Sequence, residues 1–77
     1  MAEKHVALEL TQSEALVLFE WLTRVDSSHE LPFEDPSEQQ VLWILEGKLE
    51  HLLVEPLASN YRELLAEARK KVRGAHG

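Results

Sequence analysis

The sequence has no cysteine, and its three glycines stand apart from one another. Without cysteine the chain can form neither a disulfide bond nor a thiolate metal site, and isolated glycines do not make a glycine-rich phosphate-binding loop. No apolar run approaches the roughly 18 residues that cross a membrane. The start of the chain lacks the cationic and apolar regions of a signal peptide. We therefore expect a cytoplasmic protein without membrane contact.

Positive charge is scarce as well. Eight Lys and Arg residues stand against fourteen Asp and Glu, which gives a net charge of −6. Nucleic acids and anionic membranes are bound through concentrated Lys and Arg. Five of the eight bases lie in residues 57–77, and four of these, in residues 69–73, are near the end of a predicted helix, where they complement the helix dipole. Binding of nucleic acid is therefore not expected, and a more basic protein is the better candidate for a partner.

A chain of 77 residues and 8.8 kDa has room for one domain. A domain of this size buries only about 60% of the surface of its unfolded chain, so its stability is marginal. Small domains without disulfides depend on good helix packing or on oligomerisation. We expect a single helical domain over residues 1–77, with flexible ends at 1–4 and 74–77.

The first predicted elements are a strand and a helix. In the segment of residues 5–10, the large apolar residues Val6, Leu8 and Leu10 alternate with Ala7 and Glu9, which is typical of a short strand with one buried face. Thr11 and Glu14 then have the spacing of a capping box. They predict a helix that runs from about Gln12 to Asp26.

Two further helices are predicted in the rest of the chain. A second capping box, formed by Asp35 and Glu38, predicts a helix over residues 36–54. A third helix should end at Arg73, with Gly74 as its C-terminal cap.

Apolar stripes predict how these helices pack. At 100° per residue, the second and third helices each have one stripe, with Leu45 and Leu64 near the centres. The first helix is apolar around most of its circumference and must be covered on several sides. Its main predicted stripe consists of Ala15, Leu18, Phe19, Leu22 and Val25, and Leu16 only widens it.

Several large apolar side chains lie outside the stripes. Trp43 projects roughly 140° from the centre of its helix's stripe, too far to share the same contact within the chain. Gly47, one turn later, permits close approach of a partner, and Trp is enriched at interfaces. The lone strand leaves an unpaired edge that a second copy could cover across a two-fold axis. The predicted partner interface consists of Leu8, Val17, Trp21, Trp43, Ile44 and Gly47.

A plainer interpretation stays open beside this one. The extra apolar side chains could lie over helix edges and beneath the acidic loop of residues 27–35, with Leu31 and Phe33 covering them. The same loop could instead dock on another protein.

No catalytic, cofactor-binding or metal-binding constellation is present in the sequence. Glu46 and Glu50 lie one turn apart, but both belong to the polar side of the second helix, where solvation should keep their pKa values ordinary. His51 lacks a second ligand at helical metal-site spacing. We expect no enzymatic activity, no cofactor and no metal.

Three segments, Leu10–Leu22, Val41–Trp43 and Glu55–Leu65, together resemble a group of short uncharacterised bacterial proteins. The similarity spans most of the chain. Its motifs are helix starts and core stripes, so the resemblance implies a fold and a bacterial origin. It implies no activity and no site residue.

The sequence thus predicts a mostly helical β-α-α-α domain, in which a short N-terminal strand, paired across a dimer, precedes a three-helix bundle. We expect an acidic homodimeric interaction protein, regulatory, antitoxin-like or inhibitor-like, with a basic protein as its partner. Two other functions stay open: an acidic mimic of nucleic acid, and a small enzyme or ligand carrier with a pocket at the dimer seam.

Overall fold

A computed structural model describes residues 3–28 and 32–76, the side chains of residues 75 and 76 excepted. Three α-helices and a short 3₁₀ helix lie within these ranges, so the mostly helical prediction is confirmed. None of the helices in these ranges is long and apolar enough to cross a membrane. The elements are α1 (Gln12–Ser28), α2 (Pro36–Leu52), the 3₁₀ helix Glu55–Leu57 and α3 (Tyr61–His76).

The predicted N-terminal strand is wrong for the single chain. Residues 3–11, which we call the N-terminal arm, have no regular secondary structure. Val6 is 95% exposed and Leu8 is 78% exposed. A strand needs a neighbour that supplies ladder hydrogen bonds, and no second strand exists among the described residues. The alternating pattern therefore marks a segment with one apolar side, without showing what covers it.

The predicted helix starts are confirmed. The Thr11 hydroxyl accepts a hydrogen bond from the Glu14 amide over 3.1 Å, and the Glu14 carboxylate accepts one from the Thr11 amide over 2.8 Å. At α2, the Asp35 carboxylate accepts from the amide of Ser37 over 2.8 Å. Glu38 reaches back to the amide of Glu34 rather than to that of Asp35. Both helices are thus capped by their own first-turn side chains.

The predicted helix ends are less accurate. Helix α1 extends two residues beyond Asp26, and α2 stops at Leu52, two residues earlier than expected. Helix α3 runs through Gly74 to His76, so the predicted cap at Gly74 is wrong. A glycine inside a helix costs about 1 kcal/mol relative to alanine but does not break it. Gly74 is not in the left-handed conformation of a C-terminal cap, and the helix continues through it.

Helix α1 lies at the centre of the fold. It packs most extensively against α3 and next against α2, while α3 also contacts the 3₁₀ helix. Helices α1 and α3 each contribute two residues to the buried core, and α2 contributes Leu49 together with Leu53, the residue directly after the helix. The core consists of Leu16, Leu22, Leu49, Leu53, Leu65 and Ala68.

The core differs in detail from the predicted stripes. Leu16, expected at the edge of the α1 stripe, is only 3% exposed and is the most buried of the described residues. Leu45 and Leu64 pack against the core but are themselves half-buried. Because α1 is apolar nearly all round, its sequence did not specify which side the two other helices would cover.

Some predictions fall on residues that are not described. Residues 1–2 and 77 of the predicted flexible ends lie outside the described ranges, as do His29 and Leu31 of the acidic loop. Phe33, from the described part of this loop, is 38% exposed.

Candidate interaction site

An open groove of about 700 Å³ runs along one side of α2. Its walls are mostly apolar, and they come from three elements: α1, α2 with the residue after it, and the 3₁₀ helix. Lys48, Glu50 and His51 add polar groups to its lining. The apolar lining consists of Phe19, Trp43, Ile44, Gly47, Leu53, Pro56 and Leu57.

Three of the six predicted interface residues line this groove: Trp43, Ile44 and Gly47. The two large side chains are about half exposed, at 51% for Trp43 and 55% for Ile44. A Cβ atom added to Gly47 would meet no atom within 4 Å, so this position leaves open space at the groove wall. These three residues therefore belong to one continuous surface.

The other three predicted residues lie elsewhere. Val17 is half-buried and packs against the core, so its side chain contributes to the fold. Trp21 is exposed on α1 and does not line the groove. Leu8 lies on the N-terminal arm, exposed to solvent. The structure therefore divides the predicted interface into a groove on α2, an arm and a separate exposed tryptophan.

Trp43 also makes a contact that the sequence did not predict. Its indole Nε1 donates a hydrogen bond to Oδ1 of Asp26 in α1, over 3.1 Å. Although Trp43 lies outside the apolar stripe of α2, its side chain therefore still contacts α1 within the chain. The long indole reaches across to α1 with its N–H edge while its ring stays half exposed in the groove, which is typical of tryptophan at interfaces.

An acidic pair lies beside this hydrogen bond. Glu46 is half-buried, and its Oε1 atom is buried without a hydrogen-bond partner. Burial raises the pKa of Glu46, and the nearby carboxylate of Asp26 and then that of Glu50 raise it further. The expectation of an ordinary pKa for Glu46 is therefore wrong, because this side chain lies between α2 and α1 rather than in open solvent.

A second hollow lies on the α3 side of the domain, lined by Glu20, Tyr61, Arg62, Leu65 and Arg69. The Tyr61 hydroxyl donates a hydrogen bond to the Glu20 carboxylate over 3.0 Å, which joins α3 to α1. Burial, followed by the hydrogen bond and the charge of Glu20, raises the pKa of Tyr61 to about 12. Two arginines share this hollow with an acid, so its charge is mixed rather than strongly basic.

The described ranges hold no group of three or more His, Asp or Glu side chains close enough to bind an ion. The groove along α2 is the candidate site that brings predicted interface residues together. It offers an apolar surface with few polar groups, which suits an apolar segment of a protein better than a charged substrate.

Sequence reasoning missed Phe19, Leu57 and Asp26 as parts of this region. Phe19 was placed in the core stripe of α1, although it also forms one wall of the groove. Leu57 is 91% exposed and follows Pro56, so no periodic pattern included it. One signal was available: an exposed leucine directly after a helix break, close in sequence to a helix that already carried extra apolar residues.

No protein-family model, curated protein or solved structure matches the chain. The resemblance to short bacterial proteins stays a prediction, and the geometry of the groove and the arm carries the functional argument.

Proposed function

We propose that this chain is a small non-enzymatic interaction protein that works as a homodimer in a bacterial cytoplasm and regulates or inhibits a more basic protein. The observation that carries the proposal is the groove along α2. It gathers Trp43 and Ile44, two large apolar side chains, on a surface that the single chain leaves open. Apolar surface of this kind marks sites of association.

The exposed area of the chain supports association. The accessible surface is 6664 Å², whereas a compact monomer of 8.8 kDa exposes roughly 4,800 Å². The Cα radius of gyration is 14.2 Å, against about 11.5 Å for a compact chain of this length. The chain thus exposes roughly 1,900 Å² more than a compact monomer does. A standard interface buries about 800 Å² on each partner, so the excess is large enough to form one.

The charge of the chain supports a basic partner. A net charge of −6 on so small a body attracts a positively charged surface over distances comparable to the Debye length, about 10 Å at moderate salt. The same charge repels other acidic proteins, so basic proteins are favoured over acidic ones as partners.

A small-ligand carrier is the second candidate. The volume of the groove, about 700 Å³, lies within the range of small-molecule pockets, which is roughly 300 to 1,000 Å³. A pocket of this kind would become enclosed only if a second chain covered the groove. Native mass spectrometry of the purified protein separates the two candidates: a bound small molecule favours a carrier, and a stoichiometric protein partner favours a regulator.

Sedimentation equilibrium tests the homodimer. We expect the wild-type chain to have twice its formula mass at micromolar concentration, and Ile44→Asp to be monomeric with its helicity retained. The matched control is Leu52→Asp. Leu52 is on the same helix and is more exposed, but it lies about 140° from Gly47 around α2 and does not line the groove. A wild-type chain that sediments as a monomer at high concentration would contradict the proposal.

A further inference from the structure

We infer that the N-terminal arm of one copy fills the α2 groove of a second copy, and that the two copies do so reciprocally. The inference rests on the proposed homodimer and names the segment that forms it. The contacting side chains of the arm are Val6, Leu8 and Leu10, which are all exposed in the single chain. Their counterparts are the apolar residues of the groove.

The arm has the pattern that such a groove needs. In an extended segment alternate side chains point the same way, so Val6, Leu8 and Leu10 lie on one side of the arm. Ala7 and Glu9 lie on the other side and stay toward solvent. The arm thus presents one apolar edge and one polar edge, which is the arrangement of a peptide that docks along a surface.

The lengths of the two surfaces agree. From Val6 to Leu10 an extended chain spans about 13 Å. From Trp43 to His51, the first and last groove residues within α2, eight residues of helical rise span about 12 Å. Three apolar side chains of the arm therefore extend along the part of the groove that α2 forms.

The base of the arm is joined to the 3₁₀ helix, two residues of which line the groove. Gln12, directly after the arm, donates a side-chain hydrogen bond to the carboxylate of Glu55 in the 3₁₀ helix. The next residues of that helix, Pro56 and Leu57, line the groove. If two grooves face each other across a two-fold axis, the 3₁₀ helix of each chain brings the base of its arm toward the partner's groove. The same contact between arm and groove then forms twice in the dimer.

The excess exposed area and the local charge both suit a second copy. Reciprocal docking covers the exposed apolar side chains of the arm and of the groove at once. Although each chain carries a net charge of −6, these surfaces are nearly neutral. Lys4 offsets one of the two acids of the arm, and Lys48 offsets Glu50 in the groove. The docked surfaces therefore avoid most of the repulsion between two acidic bodies.

Engineered disulfides test the inference, because the chain has no cysteine of its own. We would mix a Leu8→Cys chain with an isotopically labelled Gly47→Cys chain, oxidise the mixture and determine masses under denaturing conditions. Both positions are exposed, and Gly47 has open space for a side chain. A disulfide needs Cα atoms within about 7 Å, so it reports close contact only. The matched control pairs Leu8→Cys with Leu52→Cys.

We expect a doubled mass that contains one labelled and one unlabelled chain, and no such product in the control. A chain that carries both Leu8→Cys and Gly47→Cys should likewise give linked dimers. An intramolecular disulfide with the mass of one chain would show that the arm occupies its own groove. A product that joins two Leu8→Cys chains in preference to the mixed one would show arm pairing with arm as strands. Either result overturns the inference.

Two sedimentation results separate this inference from the proposed function. If the wild-type chain is a dimer but no mixed disulfide forms, arm docking is wrong and the homodimer stands. If the wild-type chain is a monomer, both are wrong. Deletion of residues 1–10 gives an independent check: loss of three buried apolar side chains should raise the dissociation constant by about 100-fold or more. An unchanged dissociation constant in the deleted chain contradicts arm docking.

Discussion

The indole Nε1 of Trp43 and the Oδ1 atom of Asp26 are 3.1 Å apart, in a hydrogen bond that joins α2 to α1. This bond fixes the orientation of the ring that forms one wall of the groove. The orientation leaves the ring face half exposed while the polar edge is satisfied within the chain. Trp43 therefore belongs both to the helix packing and to the proposed interface.

We expect Trp43→Phe to lower the free energy of unfolding by about 0.5 to 1.5 kcal/mol, the usual contribution of one hydrogen bond. Phenylalanine keeps an aromatic ring but has no N–H to donate to Asp26. Urea denaturation followed by circular dichroism measures the change. Trp21→Phe is the control, because Trp21 is equally exposed but does not line the groove, and it should have almost no effect. Equal effects of the two changes would show that the hydrogen bond does not stabilise the domain.

The acidic pair predicts a dependence of stability on pH. Folding raises the pKa of Glu46 above its ordinary value of 4.5, since its burial and the Asp26 carboxylate both disfavour its charged form. The protonated carboxyl of Glu46 therefore stabilises the folded state below pH 4.5, and this contribution to the free energy of unfolding is lost as the pH rises through the folded-state pKa. Glu46→Gln removes this titration. It should stabilise the domain at neutral pH and change little in acid.

Urea denaturation at several pH values measures this difference. Glu67→Gln is the control, an exposed change on α3, and it should leave the pH dependence of the wild-type chain in place. If Glu46→Gln has the same effect on stability at every pH, the side chain does not titrate differently in the folded state.

The burial of the core predicts which leucines matter most. Leu49→Ala and Leu65→Ala should each cost about 2 to 5 kcal/mol, since both side chains are almost fully buried. Leu45→Ala and Leu64→Ala should cost less, because these half-buried side chains leave a smaller cavity. Urea midpoints of the four variants rank the losses. The opposite order would mean that the helices are rotated relative to the packing described above.

Tyr61 predicts a spectroscopic signature. It is the only tyrosine of the chain, so the absorbance of phenolate reports on it directly. Burial and the Glu20 carboxylate raise its pKa from 10 to about 12. We expect Glu20→Gln to lower this pKa toward 10, whereas Glu67→Gln, an exposed change on α3, should not. Because the folded state favours the neutral phenol, the contribution of Tyr61 to the free energy of unfolding is fully present below pH 10 and is lost as the pH rises toward 12.

The sequence predicted features that depend on neighbouring residues. The box at Thr11 and the cap at Asp35 were identified correctly because a cap is formed within one turn of the chain, although Glu38 bonds the amide of Glu34 instead of closing a box with Asp35. The apolar surplus at Trp43 and Ile44 was also visible, since helical projection shows when a helix carries more apolar residues than one stripe can hold.

Features that join distant segments were not predictable in the same way. Leu16 is buried because α2 and α3 cover that side of α1, and a helix apolar nearly all round does not specify which side is covered. The pair formed by Asp26 and Glu46 depends on the crossing of two helices, so no spacing in the sequence records it. The alternation at residues 5–10 predicted an apolar edge, but a ladder needs a partner that one chain does not contain.

The position of α2 has a consequence for how the domain opens. Helix α1 packs against both other helices, whereas α2 and α3 have little direct contact among the described residues. Helix α2 is therefore held on one side only, and detaching it breaks fewer contacts than separating α1 from α3. Regions with few buried contacts open at a lower free energy than the whole domain. Amide hydrogens of α2 should accordingly exchange with deuterium before those of α1 and α3, and the exchange should slow as the chain concentration rises if a second copy covers the groove.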